Sequence, residues 1–341
     1  MSERSLAVVG TGLVSSVGLD AQSSCAAIRA KLTNPTETGF IVDNGEAIIA
    51  HQVRLERPWR GYAKLTRMAC MAIGEALSGA PNLRSDDIPL LLCVAEPGRA
   101  GRMQGLEDRL FALIQEMLGR RFAHNSAVVA MGRPGGAWAL AQARDLIARS
   151  EAEHVLVAAA DSLVNWPALK SLYEADRLLG EDLSDGLMPG EAAAAILVTR
   201  TGRGAGLQFV GIGLGGEPSG IASGAPMRAE GLTAVIKSSL AEADLKLHDI
   251  AYRITDLSGE QFYFKEAALA LNRVLRRRRE DFELWHPAES IGDTGAAAGL
   301  ASFVVGQQAA LGGYAPGGSV LFHFGNEEGA RAAVAAVAVT A

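Results

Sequence analysis

Short apolar runs rich in Val, Leu, Ile and Ala alternate along this chain with longer stretches whose apolar residues recur every three or four positions. The first pattern suits strands buried on both faces and the second suits the helices that connect them, the signature of an α/β protein with a largely parallel sheet. Strands are expected at Leu6–Gly10, Pro89–Ala95, Ser126–Met131, His154–Ala160, Ala192–Thr199, Leu207–Leu214, Ile250–Leu257, Ser319–Gly325 and Ala333–Val339. Helices are expected at Ala21–Lys31, Tyr62–Ser78, Met103–Gly119, Gly135–Arg149, Arg228–Asp244, Glu260–Arg279 and Gly295–Leu311. The pattern up to about Thr199 is echoed more compactly from about Leu207, with Thr201-Gly202-Arg203-Gly204-Ala205-Gly206 between. Two similar halves sharing one core follow, residues 1–203 and 204–341. No shorter repeat of a few tens of residues is present.

Composition changes this picture little. The 341 residues are 49% apolar and 21% charged, enough to bury a large core. The 39 glycines fall singly or in pairs rather than in a linker tract, so they signal close helix–sheet packing. A net charge of −6 gives no broad attraction to nucleic acid, and none is expected as a partner. The run Arg276–Arg279 follows a helical stretch and meets Glu280 and Asp281, so it reads as a solvated helix end that complements the macrodipole. Three scattered cysteines, Cys25, Cys70 and Cys93, sit in apolar segments, which fits buried thiols in a reducing compartment. There is no leader-like segment at the start and no apolar run near the ~20 residues a membrane helix needs. A cytoplasmic protein without a membrane partner is expected. The six histidines lack metal-ligand spacing, and neither a metal nor a cofactor is expected.

Gly10-Thr11-Gly12 follows the first strand as a dinucleotide-binding turn would. Ser15 stands where the third glycine belongs, and no acidic residue ends a second strand at the usual distance. That reading is rejected.

Five segments carry a different message together. VVGTGLVSSVG (Val8–Gly18), DGLMPGEAAAAILV (Asp185–Val198), IAYRITDLSGE (Ile250–Glu260), ESIGDTGAAAG (Glu289–Gly299) and SVLFHFGNEEGA (Ser319–Ala330) occur in this order across nearly the whole chain. They resemble the corresponding segments of β-ketoacyl-(acyl carrier protein) synthases of the thiolase superfamily. The resemblance implies a thiolase-like fold, two βαβ-type halves in a five-layered αβαβα core. It also implies 3-oxoacyl synthase (acyltransferase) chemistry, in which a cysteine at a helix start attacks a thioester while two histidines and a lysine assist.

None of those four residues is kept. VVAMGRPGGAWAL (Val128–Leu140) matches the nucleophile's segment and puts Arg133 at the cysteine, with Pro134 fitting the first helical position. The histidines fall on Asp256 and Asp293, and the lysine on Ala288. Ser258 and Glu260 take the place of the hydroxyl pair that contacts a pantetheine arm, and Phe324 that of the gating phenylalanine. No catalytic residue is therefore expected. An arginine facing two aspartates implies an ion cluster with two-pronged hydrogen bonds in place of the active site.

The function implied is that of a catalytically inactive, synthase-like scaffold or partner subunit. It would be a dimer paired through the Ser126–Met131 strand, as a homodimer or beside an active synthase. Accessory proteins of bacterial secretion loci such as type VI are a further setting the resemblance suggests. The alternatives are an acyltransferase-family enzyme with altered chemistry that uses the aspartate pair, or a module binding an acyl group or acyl carrier protein.

Overall fold

In the computed structural model, residues 5–43, 45–180, 183–201, 205–279 and 281–339 are described. The chain runs β1 (Leu6–Val14), α1 (Ala21–Arg29), a hairpin of β2 (Thr36–Ile41) and β3 (Ala47–Ala50), α2 (Gly61–Ser78), β4 (Leu90–Val94), α3 (Leu106–Leu118), β5 (Ala127–Ala130), α4 (Gly135–Ala148), β6 (His154–Ser162), α5 (Trp166–Glu174) and β7 (Glu191–Arg200). It continues through β8 (Gly206–Gly216), α6 (Glu230–Glu242), β9 (Tyr252–Thr255), α7 (Gln261–Val274), β10 (Leu284–Trp285), α8 (Ala288–Ile291), α9 (Ala297–Leu311), β11 (Ser319–Gly325) and β12 (Ala330–Val339).

Strand order is β10-β9-β11-β12-β8-β1-β7-β6-β4-β5. Among the described residues, two sets of five strands pair with each other where Leu6 and Ala7 of β1 meet Phe209 and Gln208 of β8. Each set is buried on both faces. In β4, Leu91 and Cys93 enter one core while Leu90, Leu92 and Val94 enter another. The first core is shared by both sets of strands, with α4 and α9 between them touching strands of each. On the outer faces, α2 and α3 cover the first set and α6, backed by α7, covers the second. This is an αβαβα stack. The sequence-based division at residue 203 falls among residues 202–204, which lie outside the described residues.

The buried α9 shows why its pattern had no polar face: nearly every residue from Ala297 to Ala309 is enclosed, including Leu300, Phe303 and Val304. The glycines of β1 act by close approach. A Cβ on Gly10 would lie 2.0 Å from the Ala76 carbonyl oxygen, and one on Gly12 equally close to that of Ala72. They seat α2 on β1, which gives the physical reason why Gly10-Thr11-Gly12 is no nucleotide turn. Gly211 and Gly213 do the same for α6 on β8, their Cβ positions lying 2.1 Å from the Ser239 carbonyl oxygen and 2.0 Å from that of Val235.

Three expectations need correction. The sheet is mixed rather than largely parallel: β10–β9, β9–β11, β6–β4 and β4–β5 run parallel, while β11–β12, β12–β8, β8–β1, β1–β7 and β7–β6 run antiparallel. Helix α7 stops at Val274 rather than Arg279, so the arginine run lies beyond the helix and does not cap it. Arg276, Arg277 and Arg278 are exposed, while Arg279 turns back to stack 4.9 Å from the Phe282 ring and donate to the Ile250 carbonyl. The hairpin β2–β3 and helices α5 and α8 were not anticipated.

His51, just past β3, ties this hairpin into the sheet region: its N–H donates to the Pro189 carbonyl at 2.8 Å and its carbonyl accepts from Glu191. Its buried ring lies 3.4 Å from Ser16 Oγ, and burial lowers its pKa to about 4. An unfolded histidine titrates near 6.5, so between those values the unfolded chain binds the extra proton. The contribution is complete above pH 6.5 and is lost as pH falls toward 4, with a slope of at most about 1.4 kcal/mol per pH unit. Urea titrations from pH 7 to 4 should show that slope reduced in His51→Asn relative to the natural chain.

Candidate functional site

The turn between β5 and α4 presents Arg133. Gly132 has φ +62°, and a Cβ there would lie 2.2 Å from Glu96 Oε2, so both backbone and space require glycine. Its N–H donates to the Val94 carbonyl at 3.0 Å, and Asn326 Nδ2 donates to the Met131 carbonyl at 3.0 Å, fixing the turn to both sets of strands. Pro134 has helical dihedrals (φ −77°, ψ −2°) and α4 begins at Gly135 as expected, with the proline at the N-cap rather than at the first helical position. Asp256 directly follows β9. Asp293 lies between α8 and α9, its own N–H donating to the Met188 carbonyl and its Oδ1 accepting from the Gly295 N–H at 2.9 Å.

These three side chains converge. Arg133 Nη1 donates to Asp293 Oδ2 at 2.7 Å, and Arg133 Nε lies 3.3 Å from Asp256 Oδ2 while donating to the Gly325 carbonyl at 2.8 Å. Side-chain exposure is 8% for Arg133, 8% for Asp256 and 4% for Asp293, so this is a buried ion cluster. Each carboxylate meets one guanidinium nitrogen, so neither pair is the two-pronged fork expected. Further hydrogen bonds come from the backbone and hydroxyls. Asp256 accepts from the Gly325 N–H at 3.0 Å and from Thr255 Oγ1 at 3.3 Å, and Asp293 Oδ2 accepts from Ser258 Oγ at 3.3 Å. The Tyr263 ring covers the guanidinium, 4.8 Å from centroid to Cζ. Burial alone would lower the Arg133 pKa, but the neighbouring Asp293, Tyr263 and Asp256 outweigh it and hold the guanidinium charged. Burial pushes the Asp256 carboxyl up, against the pull of Arg133 and the Gly325 N–H.

Three further ion pairs, made by two arginines, flank this cluster and were not anticipated. Arg99 forks onto Asp161, with Nη2 2.7 Å from Oδ1, and Asp161 Oδ2 accepts from the Ala296 N–H at 2.7 Å. Arg177 binds Glu260 through Nε at 2.6 Å and Nη2 at 3.0 Å, and reaches Glu327 at 2.9 Å. Glu260 thus belongs to Arg177 rather than to the Arg133 cluster. Phe324 is a core aromatic, 5.4 Å from Phe303 and 6.4 Å from Phe322 between ring centroids. Ala288 opens α8 and borders a void of about 10 Å³ shared with Asp256 and Asp293. A second void, of about 50 Å³, lies among Arg99, Arg133, Arg177, Asp293 and Glu327. Where about 10–15 Å³ of such space admits one water, the first takes at most a single water and the second, open toward solvent, a few.

None of the three thiols lines either of these spaces. Cys25, Cys70 and Cys93 are buried free thiols, and burial pushes the Cys25 pKa up to about 12 and that of Cys70 to about 11. Among the described residues, no group of three His, Cys, Asp or Glu side chains is placed to hold a metal ion.

No protein-family model matches the chain, and no curated protein matches it significantly. Solved structures do. A chain of the complex between a type II polyketide acyl-carrier protein and its hexaketide-bound ketosynthase (AntDE:AntF) superposes with a TM-score of 0.80 at 14% identity, over 99% of this chain and 100% of that one. The ishigamide ketosynthase/chain length factor gives 0.79 at 17% identity, over 99% and 100%. The chain has the thiolase-like ketosynthase fold. The same fold is matched in the ketosynthase ApeO with its chain length factor ApeC from Xenorhabdus doucetiae, at TM-score 0.75 and 12% identity over 98% of both chains. No helix among the described residues is long and apolar enough to cross a membrane.

Proposed function

We propose that this chain is a non-catalytic member of the ketosynthase fold, built of two thiolase-like halves (1–203 and 204–341), that works in the cytoplasm as a scaffold or partner subunit. The observation that carries this reading is the Arg133–Asp256–Asp293 cluster. It replaces a nucleophile and two hydrogen-bond donors with buried ion pairs, and the clefts beside it are narrow. Chemistry of the family's kind needs a nucleophile and an oxyanion site within reach of a bound carbonyl. Arg133 is a cation held above its usual pKa and cannot attack a thioester.

Pairing through β5 supports the partner role. This strand is hydrogen-bonded by β4 on one side and ends the sheet order, so its other edge is open. Its two faces are already packed, Val129 and Ala127 against the shared core and Val128 and Ala130 against the outer one. A short apolar edge without charge or proline is one that a second strand covers. A second copy or a related synthase would pair there. A partner encoded in a secretion locus is a further candidate.

The test is twofold. Incubation with acyl and malonyl thioesters of acyl carrier protein should give no condensation, decarboxylation or acyl-enzyme by mass spectrometry. Turnover that disappeared in Asp256→Asn would overturn the reading in favour of an enzyme using the aspartates. Sedimentation should show a dimer that dissociates in Val128→Asp, either of the chain alone or after co-expression with a synthase.

A further inference from the structure

We propose that the cavity bounded by α1, β10 and α9 is a binding site for a small planar organic anion, in its simplest form an aromatic carboxylate. The cavity measures about 430 Å³, within the range of small-molecule sites. It opens beside β10, the strand that ends the sheet opposite β5. Ile28, Leu284, Trp285, Val305 and Tyr314 form its apolar walls. The Trp285 and Tyr314 rings lie within 21° of parallel with centroids 6.4 Å apart. Tyr252, itself buried, backs Trp285 at 4.9 Å, so this aromatic wall is braced by the core. A flat apolar body lies against such a wall with little side-chain ordering still to be done.

The charges at the rim decide the sign of the ligand. Glu283 Oε2 already accepts from Trp285 Nε1 at 2.9 Å, and Glu289 Oε1 lies 3.2 Å from His286 Nδ1. Neither carboxylate pairs with Arg29 or Lys31, whose charges stay available to a ligand. Arg29, at the end of α1, and Lys31, just beyond it, form no ion pair among the described residues. The Arg29 guanidinium carbon lies 4.2 Å from the centroid of the Tyr314 ring, which places the cation at the end of the aromatic wall. A guanidinium at that end is suited to pair with a carboxylate whose own ring continues along the wall.

The site binds but does not react. Cys25 borders it, yet burial, reinforced by Glu75 and Asp20, keeps its sulfur a thiol. It is also distinct from the Arg133 cluster. The single turn α8 separates the two, with Glu289 and Ser290 bordering the cavity while Ala288 and Ile291 border the small void against Asp256 and Asp293. The inference is thus independent of whether the cluster is catalytic.

Isothermal titration of the full chain with 2-naphthoate, and with its neutral isostere 2-naphthamide, tests it. Saturable one-to-one binding of naphthoate is expected, with the amide at least tenfold weaker. Arg29→Gln, a change at an exposed position that leaves the thermal transition in place, should weaken naphthoate at least tenfold and leave the amide unchanged. Trp285→Ala should abolish binding of both. No saturable heat up to millimolar naphthoate, equal affinity for acid and amide, or indifference to Arg29→Gln would each overturn the proposal.

Discussion

Replacing Arg133 with methionine is expected to destabilise the fold by about 3–5 kcal/mol, read as a lowered urea midpoint at pH 7. The loss comes from what remains rather than from what is removed. Asp256 and Asp293 would stay buried, with exposures of 8% and 4%, and would face each other without the cation that lies 3.3 Å and 2.7 Å from them. A triple variant, Arg133→Met with Asp256→Asn and Asp293→Asn, should recover most of the loss, because it removes the stranded charges together. If the triple variant is as unstable as the single one, the arginine acts through packing under Tyr263 and Gly325 rather than through charge. The comparison matters because a buried ion cluster is weak support for net stability: desolvation of three charged groups opposes the attraction between them.

The second large effect is expected from Phe303→Ala, at about 3–5 kcal/mol by the same measurement. Phe303 is fully enclosed on α9, with ring centroids 4.9 Å from Phe209 and Phe322 and 5.4 Å from Phe324. These partners belong to β8 and β11, so truncation opens a void where the middle helix layer meets the second set of strands. Leu311→Ala at the exposed end of the same helix, where the side chain is 52% exposed, should change stability by no more than about 0.5 kcal/mol. Equal losses at the two positions would mean that burial of the side chain does not set the cost, since alanine is the better helix former at both.

The strands were the most legible part of the sequence. Ser319–Gly325 was read to its ends because an apolar run lies between Gly317-Gly318 and Gly325. Helix α7 was read five residues too long because arginine is a good helix former, whereas the chain turns extended at Leu275 and brings Arg279 back to Phe282. Helix α5 was missed although its signal was present: Asn165 caps it, accepting from the Ala168 N–H at 3.1 Å, and Pro167 follows in the first turn. The hairpin β2–β3 carries no such alternation, since Thr36–Ile41 is polar and bulged against its partner.

At the site, Arg133, Asp256 and Asp293 were located through resemblance and order along the chain, and the structure brings them together. Arg99, Asp161, Arg177 and Glu327 have no such signal, because ion partners drawn from separate loops follow no period. A clue to the paired architecture was nonetheless on view: Val9–Leu13 reads Val-Gly-Thr-Gly-Leu and Val210–Leu214 reads Val-Gly-Ile-Gly-Leu. Each is a strand whose glycines let a helix carbonyl approach to about 2 Å of where a Cβ would stand.

The placement of α9 between the two sets of strands has a consequence for synthesis. On the ribosome, β1, β4, β5, β6 and β7 emerge long before residues 297–311, yet the shared face of β1, β6 and β7 is covered by that late helix. The first half of the nascent chain therefore waits with the part of that face that α4 does not cover exposed until residues 297–311 have been made. Such a chain depends on chaperones or on slow collapse during that interval, and a stop codon shortly before α9 would release a polypeptide with an open apolar face instead of a smaller folded protein.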